Sequence, residues 1–191
     1  KRCSVSKAER VRRQKKLQCA QGYLELMMIG DDNIQLDTAL LELMADRGLR
    51  SLEALDEVFS VQAEVFHLRG QLLRASKRYG DAIAWLRRSI DLDSKNLEAY
   101  LGLGWCYKRL GQVDLAIEAL EHALDIPDET GIVQYNLACY WALVSHIKLA
   151  VEYLSRALEI DPHYRSMLAS EPDFDTIRNQ PDFLALTAIT A

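Results

Sequence analysis

Apolar side chains along this chain recur three, four and seven positions apart, which is the spacing of one helix face and not the alternation of a strand. From Ala63 to Tyr164 the pattern repeats every 34 residues without insertion or deletion. Small and large residues hold fixed positions of this period: Gly70, Gly104 and Ala138; Ala82, Ala116 and Ala150; Ser89, Ala123 and Ala157; Leu86, Leu120 and Leu154; Ile90, Leu124 and Leu158; and Leu92, Ile126 and Ile160. Such a repeat predicts stacked helical units that present surfaces.

Each repeat is predicted to contain two helices joined by a short turn. In the middle repeat, residues 100–107 carry the helical spacing, the pattern breaks around Gly111, and a second helix follows over residues 115–124. Because glycine adopts positive φ at little cost, Gly111 and, one repeat earlier, Gly80 are the predicted turn residues.

The segment before the repeats begins with a predicted long helix. Ser6 and Glu9 have the spacing of a capping box, so the helix should start there and continue to about Met28. Its apolar stripe consists of Ala20, Tyr23, Leu24 and Met27. Gly30, Asp31 and Asp32 are predicted to stop it.

Two further helices are predicted between this helix and the repeats. Asn33 can cap one that carries Ile34, Leu36, Ala39, Leu40 and Leu43 and ends at Gly48, while Ser51 can cap a short one with Leu55, Val58 and Phe59. With the helix that holds Tyr23, they suggest a degenerate leading repeat, because terminal repeats have one face in water.

The tail after Tyr164 departs from the 34-residue period. Residues 170–173 and 180–182 each place a proline near a predicted helix start, where its missing N–H costs least. Phe174 and Ile177 belong to the first of these short helices, and residues 183–186 to the second. We expect the tail to lie over the exposed side of the third repeat.

At the level of individual positions, the repeats resemble those of the tetratricopeptide repeat family. The resemblance rests on Tyr100, Leu103, Gly104, Tyr107, Ala116, Leu120 and Ala123 in the second repeat, and on Leu137, Ala138, Trp141, Ala150, Leu154, Ala157 and Asp161-Pro162 in the third. It implies an all-α fold, a right-handed α-α superhelix of helix-turn-helix repeats with helical caps. The predicted organisation of the whole chain is a basic arm at 1–16, a helical cap or degenerate repeat at 17–62, repeats at 63–96, 97–130 and 131–164, and capping helices at 165–191.

The resemblance also implies a function and a surface. Members of the family bind other proteins, with the first helix of each repeat lining a concave groove. The corresponding candidates are His67, Gln71 and Arg74; Leu101, Trp105, Lys108 and Arg109; and Tyr135, Asn136 and Cys139, flanked by Glu64, Glu98, Ile132 and Leu143. Trp105 is the leading candidate because tryptophan is enriched in binding hot spots; the alternative is burial by the next repeat. Trp141 is expected in the core and Trp85 partly covered.

One subtype of the family holds the acidic C-terminal tails of heat-shock chaperones with a carboxylate clamp of Lys, Asn and Arg. At the matching positions this chain has His67 and Gln71, Gly102, and Ile132 and Asn136. Only Asn136 agrees, and two cationic donors for the terminal carboxylate are missing. A chaperone-tail receptor of this kind is therefore not expected.

Charge adds a second hypothesis. The chain has a formal net charge of -5, yet residues 1–16 carry eight cationic side chains against the single acidic Glu9. This asymmetry suggests either a solvated linker helix or an arm that docks on an anionic partner, such as nucleic acid or an acidic membrane. The arm residues are Arg10, Arg12, Arg13, Lys15 and Lys16. Self-association, through Trp85 and the N-terminal helix, is a third hypothesis.

Catalysis, a metal and a cofactor are not expected. The histidines and the four cysteines have neither zinc-ligand nor disulfide-framework spacing, and no phosphate-binding loop or nucleophile elbow appears. The sequence shows no apolar run of membrane-spanning length and no signal-peptide core. We expect a non-catalytic, cytoplasmic scaffold or adaptor that binds a peptide or a helix, and the start at Lys1 agrees with a fragment of a longer chain.

Overall fold

The computed structural model describes residues 6–33, 36–55 and 59–188, and its regular elements in these ranges are helical. They are α1 (Lys7–Asn33), α2 (Thr38–Glu53), α3 (Ala63–Ala75), α4 (Tyr79–Leu92), α5 (Leu97–Arg109), α6 (Val113–Glu121), α7 (Ile132–Leu143), α8 (Ile147–Ile160), α9 (Tyr164–Met167), a 3-10 turn (Pro172–Phe174) and α10 (Pro181–Ala188). None of these helices is both long enough and apolar enough to cross a bilayer.

The chain forms two compact units, residues 1–106 and residues 107–191, which we call the N-terminal unit and the C-terminal unit. In the N-terminal unit α1, α2 and α3 bury a shared apolar core of Leu17, Ala20, Leu24, Met27, Leu41, Ala45, Leu52, Leu55, Val65, Leu68 and Leu72. In the C-terminal unit α7 and α8 pack together and bury Val133, Leu137, Tyr140 and Leu154.

The start of α1 confirms the capping box. Ser6 Oγ accepts the Glu9 backbone N–H at 3.2 Å, and the Glu9 carboxylate accepts the Ser6 N–H at 3.3 Å. The predicted stop at residues 30–32 is wrong, since α1 continues to Asn33. Glycine and aspartate lower helix propensity, but neither removes a backbone hydrogen bond as proline does, so the helix passes through them.

The two helices predicted after α1 are a single helix, α2, and this corrects the prediction. Asp37 caps it, with Ala39 donating to its carboxylate, and both Gly48 and Ser51 lie inside it. Gly48 is a packing residue and not a terminator, because an added Cβ would lie 2.8 Å from the Leu72 side chain. Among the predicted apolar residues, Leu40 and Leu43 are exposed, whereas Ile34 and Val58 fall outside the described residues.

The turns inside the repeats share one backbone feature. Lys77, Gly111 and Ser145 all have positive φ, at 63°, 74° and 59°, and they are spaced by the 34-residue period. Gly111 therefore has the predicted role, but Gly80 does not, since it lies within α4. The conformation belongs to the position after the first helix of each repeat, and lysine and serine adopt it there despite their Cβ atoms.

The buried positions of the period explain how paired helices approach. Leu86, Leu120 and Leu154 are fully buried, and an added Cβ on Gly70 would lie 2.6 Å from the Leu86 side chain. Ser89, which replaces the alanine of the later repeats, is buried and donates to the Ala63 carbonyl at 2.9 Å. The periodic positions of Leu92 and Ile160, in contrast, are exposed.

The C-terminal tail packs on the third repeat as predicted. The 3-10 turn lies against α7, and α10 lies against α8. Phe174, Ile177 and Phe183 are buried, with the rings of Phe174 and Phe183 5.4 Å apart. Thr176 Oγ1 donates to the Ala142 carbonyl at 2.7 Å, which fixes the tail to the end of α7.

Candidate functional site

In the N-terminal unit, first helices α3 and α5 together present a polar face. Gln71 Nε2 donates to the Glu98 carbonyl at 3.4 Å, and Arg74 Nε donates to Gln71 Oε1 at 2.6 Å. His67 Nε2 lies 3.3 Å from the Glu98 carboxylate. We call His67, Gln71, Arg74, Glu98, Leu101 and Trp105 the open face, and hydrogen bonds between its two helices hold its polar part in a fixed arrangement.

Burial tunes the ionisable groups of this face. It lowers the pKa of His67, against the opposing effect of the Glu98 carboxylate. Burial also raises the pKa of Cys106, the neighbour of Trp105, to about 11. The imidazole is therefore neutral at physiological pH and the thiol is protonated, so Cys106 is a core residue and not a reactive one.

Trp105 is on the surface of the N-terminal unit, with 37 % of its area exposed. Glu98, Leu101 and Trp105 are spaced by three and four residues, so they share one side of α5. Gly102, which follows Leu101 in α5, lies close to Gln71 and Leu86. A Cβ added there would be 3.2 Å from the side-chain amide of Gln71. The predicted candidates His67, Gln71, Arg74, Leu101 and Trp105 thus belong to one face.

The matching face of the C-terminal unit is covered by the protein's own tail, which corrects the groove predicted there. Tyr135 is only 4 % exposed and Cys139 is also buried. The Tyr135 ring stacks on Tyr164 with centroids 4.4 Å apart and meets Phe174 edge-on at 6.0 Å. Sequence periodicity places these residues on the first helix, but only the folded structure shows that the tail returns over them.

An ion pair holds this tail in place. Lys108 Nζ pairs with the Asp173 carboxylate, and both side chains are largely buried. The same ammonium lies 5.8 Å from the centre of the Tyr140 ring. We call Lys108, Tyr135, Cys139 and Tyr140 the filled face. Lys108 was a candidate for partner binding, and it binds a residue of its own chain.

Arg178 closes the loop of the tail segment. Its guanidinium donates to the Leu168 and Glu171 carbonyls, each at 2.8 Å, and to the Asp175 carboxylate, also at 2.8 Å. An arginine that serves two carbonyls and a carboxylate restrains the segment much more than a single contact would. Sequence reasoning missed Arg178, although its spacing of three residues from Asp175 is a signal for such a pair.

The remaining groove candidates have different surroundings. Asn136 Nδ2 donates to the Ile132 carbonyl of its own helix at 2.8 Å, so this amide serves α7. Arg109 and Glu64 are exposed, and both Ile132 and Leu143 are half-buried. The three first helices therefore do not form one uniform row of available side chains.

The basic arm is divided between solvent and protein. Arg10, Arg12 and Lys15 are exposed on α1. Arg13 lies over the Phe59 ring at 5.2 Å, and Lys16 Nζ donates to the Ala54 carbonyl. Two of the five predicted arm residues thus pack on the N-terminal unit, and an anionic partner for the other three stays a prediction.

The Trp85 side chain borders a cavity in the N-terminal unit. The cavity has a volume of about 370 Å³, and its lining includes Leu49, Glu53, Arg69, Leu73, Arg78 and Trp85. The guanidinium groups of Arg69 and Arg88 lie 4.7 Å and 4.8 Å from the Trp85 ring, which is half-buried as predicted. Trp141 was predicted to lie in the core, but it is only half-buried near the end of α7, with its ring 5.2 Å from that of His146.

One cluster has the donor types of a metal site. Single donor atoms of Cys139, Glu171 and Asp173 lie within 4.8 Å of one another. Burial and these two carboxylates raise the pKa of Cys139, so its thiol is protonated. The Lys108 ammonium already neutralises Asp173, and it would repel a second cation. The cluster is better described as a buried anchor for the tail.

Comparison with known proteins supports the repeat assignment. Residues 61–129 match the family model of the tetratricopeptide repeat, and this stretch of the chain is built of such repeats. It is 22% identical to a solved structure of MamA (TM-score 0.58, covering 77% of this chain and 89% of that one) and 19% identical to YrrB (TM-score 0.56, covering 79% and 73%). These likenesses confirm the predicted fold class, an all-α tetratricopeptide repeat solenoid.

Curated relatives are longer than this chain. A chloroplastic protein of Arabidopsis thaliana is 26% identical over 83 residues, which are 42% of this chain and 25% of that protein. The probable N-acetylglucosaminyltransferase SPINDLY of Arabidopsis thaliana is 26% identical over 94 residues, which are 49% of this chain and 10% of that protein. The chain matches a quarter or less of the length of these relatives.

Proposed function

We propose that this protein is a non-catalytic adaptor and that the open face binds a segment of another protein. The observation that carries the proposal is the contrast between the two first-helix faces. On the open face Trp105 is exposed beside an ordered polar network, whereas the equivalent positions of the C-terminal unit are covered by the tail. The face on which the tryptophan reaches the surface is the one available to a partner.

The chemistry of the open face suits a peptide or a helix. Trp105 offers a large, rigid apolar surface, and exposed tryptophan is among the residues most enriched in binding hot spots. Gln71 and Arg74 are already fixed by hydrogen bonds, so binding would immobilise few further side chains. YrrB is described as a tetratricopeptide repeat protein with an unusual peptide-binding site, which supports the same class of ligand.

The non-catalytic part of the proposal rests on the matched region. The stretch shared with SPINDLY is one tenth of that protein, so this likeness gives no ground for assigning its transferase activity to this chain. The side chains of the open face form a histidine–carboxylate pair that joins α3 to α5 and an arginine–amide pair within α3. We assign them a binding role.

Affinity capture with quantitative mass spectrometry tests the proposal. The full chain, Trp105→Ala and Leu115→Ala serve as baits in a lysate of the source cells, followed by binding measurements with the purified partner. Leu115 is the matched control, because it is 38 % exposed on second helix α6, against 37 % for Trp105. We expect Trp105→Ala to weaken binding of the partner by about 2 kcal/mol or more, and Leu115→Ala to leave its binding unchanged.

Two results would contradict the adaptor function. Equal capture by all three baits would show that the open face takes no part. Capture that depends instead on Arg10, Arg12 and Lys15, and that falls steeply with salt, would favour the electrostatic tether. A triple charge-reversal variant of these three exposed residues makes that comparison direct.

A further inference from the structure

The filled face shows how this repeat scaffold holds a short acidic segment. The segment Glu171-Pro172-Asp173-Phe174 lies against α7, with the Asp173 carboxylate on Lys108 and the Phe174 ring against Tyr135. Both Asp173 and Phe174 are buried. A cation from one first helix and an apolar surface from the next therefore bind two consecutive residues.

The 34-residue period relates the residues of this arrangement to equivalent residues of the open face. One period before Lys108 stands Arg74, and one period before Tyr135 and Cys139 stand Leu101 and Trp105. The open face thus has the same arrangement, with a cation on α3 and apolar side chains on α5. It differs in that an arginine replaces the lysine and a tryptophan replaces the small thiol.

We propose that the open face binds a partner segment in which an acidic residue directly precedes an aromatic one, as Asp173 precedes Phe174. The acidic side chain pairs with Arg74, and the aromatic ring lies against Leu101 and Trp105. The inference rests on the proposed function of this face and adds the chemistry of its ligand.

The state of Arg74 supports a carboxylate as the ligand. Gln71 Oε1 accepts from Nε at 2.6 Å, which orients the guanidinium and uses one of its five donors. A planar guanidinium binds a carboxylate through two parallel hydrogen bonds, which an ammonium cannot do. Arg74 is half-buried, so its pairing with an anion is screened less than that of a surface arginine.

The opposite end of the open face disfavours the reverse orientation. Glu98 lies there, paired with His67, and Glu64 is exposed on the same helix as His67. An acidic ligand residue would meet like charge at that end and opposite charge at Arg74. The charges of the face therefore fix the direction as well as the composition of the segment.

Fluorescence anisotropy with a labelled peptide tests the inference on the full chain. The probe is the sequence of residues 170–178, Ser-Glu-Pro-Asp-Phe-Asp-Thr-Ile-Arg, added in trans to the protein with its own tail in place. We expect Arg74→Gln to weaken binding about tenfold or more, the cost of losing a charge-assisted pair. Arg47→Gln is the control, because Arg47 is exposed on α2.

Changes in the peptide complete a double-mutant cycle. Replacing the aspartate that corresponds to Asp173 by asparagine should weaken binding to the intact chain and cause little further loss with Arg74→Gln. Replacing the phenylalanine by alanine should weaken binding to both forms. A peptide that does not bind, or binds equally to the intact chain and Arg74→Gln, overturns the inference.

Two further outcomes separate the inference from its alternatives. Loss of binding with Lys108→Gln but not with Arg74→Gln would mean that the peptide exchanges with the chain's own tail, which overturns the inference. A natural partner that is lost with Trp105→Ala but binds through a segment without an acidic–aromatic pair also overturns it. In that case the adaptor function of the open face remains standing.

Discussion

The open face and the filled face occupy equivalent positions of the 34-residue period, yet the open face reaches the surface and the filled face is covered by the C-terminal tail. On the filled face, Tyr135 and Cys139 are buried under residues 171–177 of the same chain. On the open face, the residues one period earlier are Leu101 and Trp105, and Trp105 is on the surface. Position within the repeat decides which way a side chain points, whereas distant parts of the chain decide whether it is available.

Removing the aromatic anchor of the tail should have the largest effect on this comparison. Phe174 is 0% exposed and contacts Tyr135 and Phe183. We expect Phe174→Ala to destabilise the protein by about 3–5 kcal/mol in urea unfolding followed by circular dichroism. Leu184→Ala, at a 49% exposed position of α10, is the control and should change little. Equal stabilities of the two variants would mean that the tail is not part of the core.

Breaking the ion pair should have the next largest effect and should loosen the cover of the filled face. Lys108→Gln leaves the buried Asp173 carboxylate without its cation, which costs about 1–3 kcal/mol. Hydrogen exchange should then be faster in residues 170–178, and adding Asp173→Asn should restore part of the protection. Unchanged exchange in this segment would show that the aromatic contacts alone hold the tail.

Enlarging a contact beneath the open face should destabilise the N-terminal unit to a similar or smaller extent. Gly70→Ala places a Cβ 2.6 Å from the Leu86 side chain and 3.3 Å from its backbone nitrogen, so we expect a loss of about 1–3 kcal/mol. Gly22→Ala in α1 meets nothing within 4 Å and should instead stabilise by about 0.5–1 kcal/mol. Thermal unfolding of both variants tests whether close helix approach at Gly70 is essential.

The smallest expected effect is a pH dependence at the open face. Burial lowers the pKa of His67 below 6.5 in the folded protein, so the unfolded chain binds this proton more readily. The contribution of His67 is therefore fully present above pH 6.5 and is lost as the pH falls toward the folded pKa. In urea unfolding between pH 5 and 7, the free energy of unfolding should depend less steeply on pH for His67→Gln than for the intact chain. An identical slope would contradict the assignment.

The local pattern of the sequence was sufficient for the helix pairs but not for every boundary. The 34-residue period predicted α3 to α8 in pairs, and Ser6 and Glu9 predicted the start of α1. Gly48 was interpreted as a helix end, although it lies inside α2 and makes room for Leu72. A glycine that ends a helix and one that allows close packing look the same in a sequence, because the difference lies in a neighbour that is distant along the chain.

The candidate site was predicted in part for the same reason. His67, Gln71, Arg74, Leu101 and Trp105 were found from their positions in the first helices, and the structure brings them to one face. Tyr135 and Cys139 satisfied the same rule but are covered. The acidic–aromatic tail follows its target helix by about 30 residues, and periodicity carries no information on where a segment outside the repeat will dock.

Chemical-shift mapping by NMR with the peptide of residues 170–178 tests the central claim most directly. If the open face binds and the filled face is occupied, the indole N–H of Trp105 and the amides around Gln71 and Arg74 should shift on titration. The amides around Tyr135 and Cys139 should stay unchanged. Shifts confined to Tyr135 and Cys139, with Trp105 unaffected, would contradict the account, because the filled face would then be the exchangeable site.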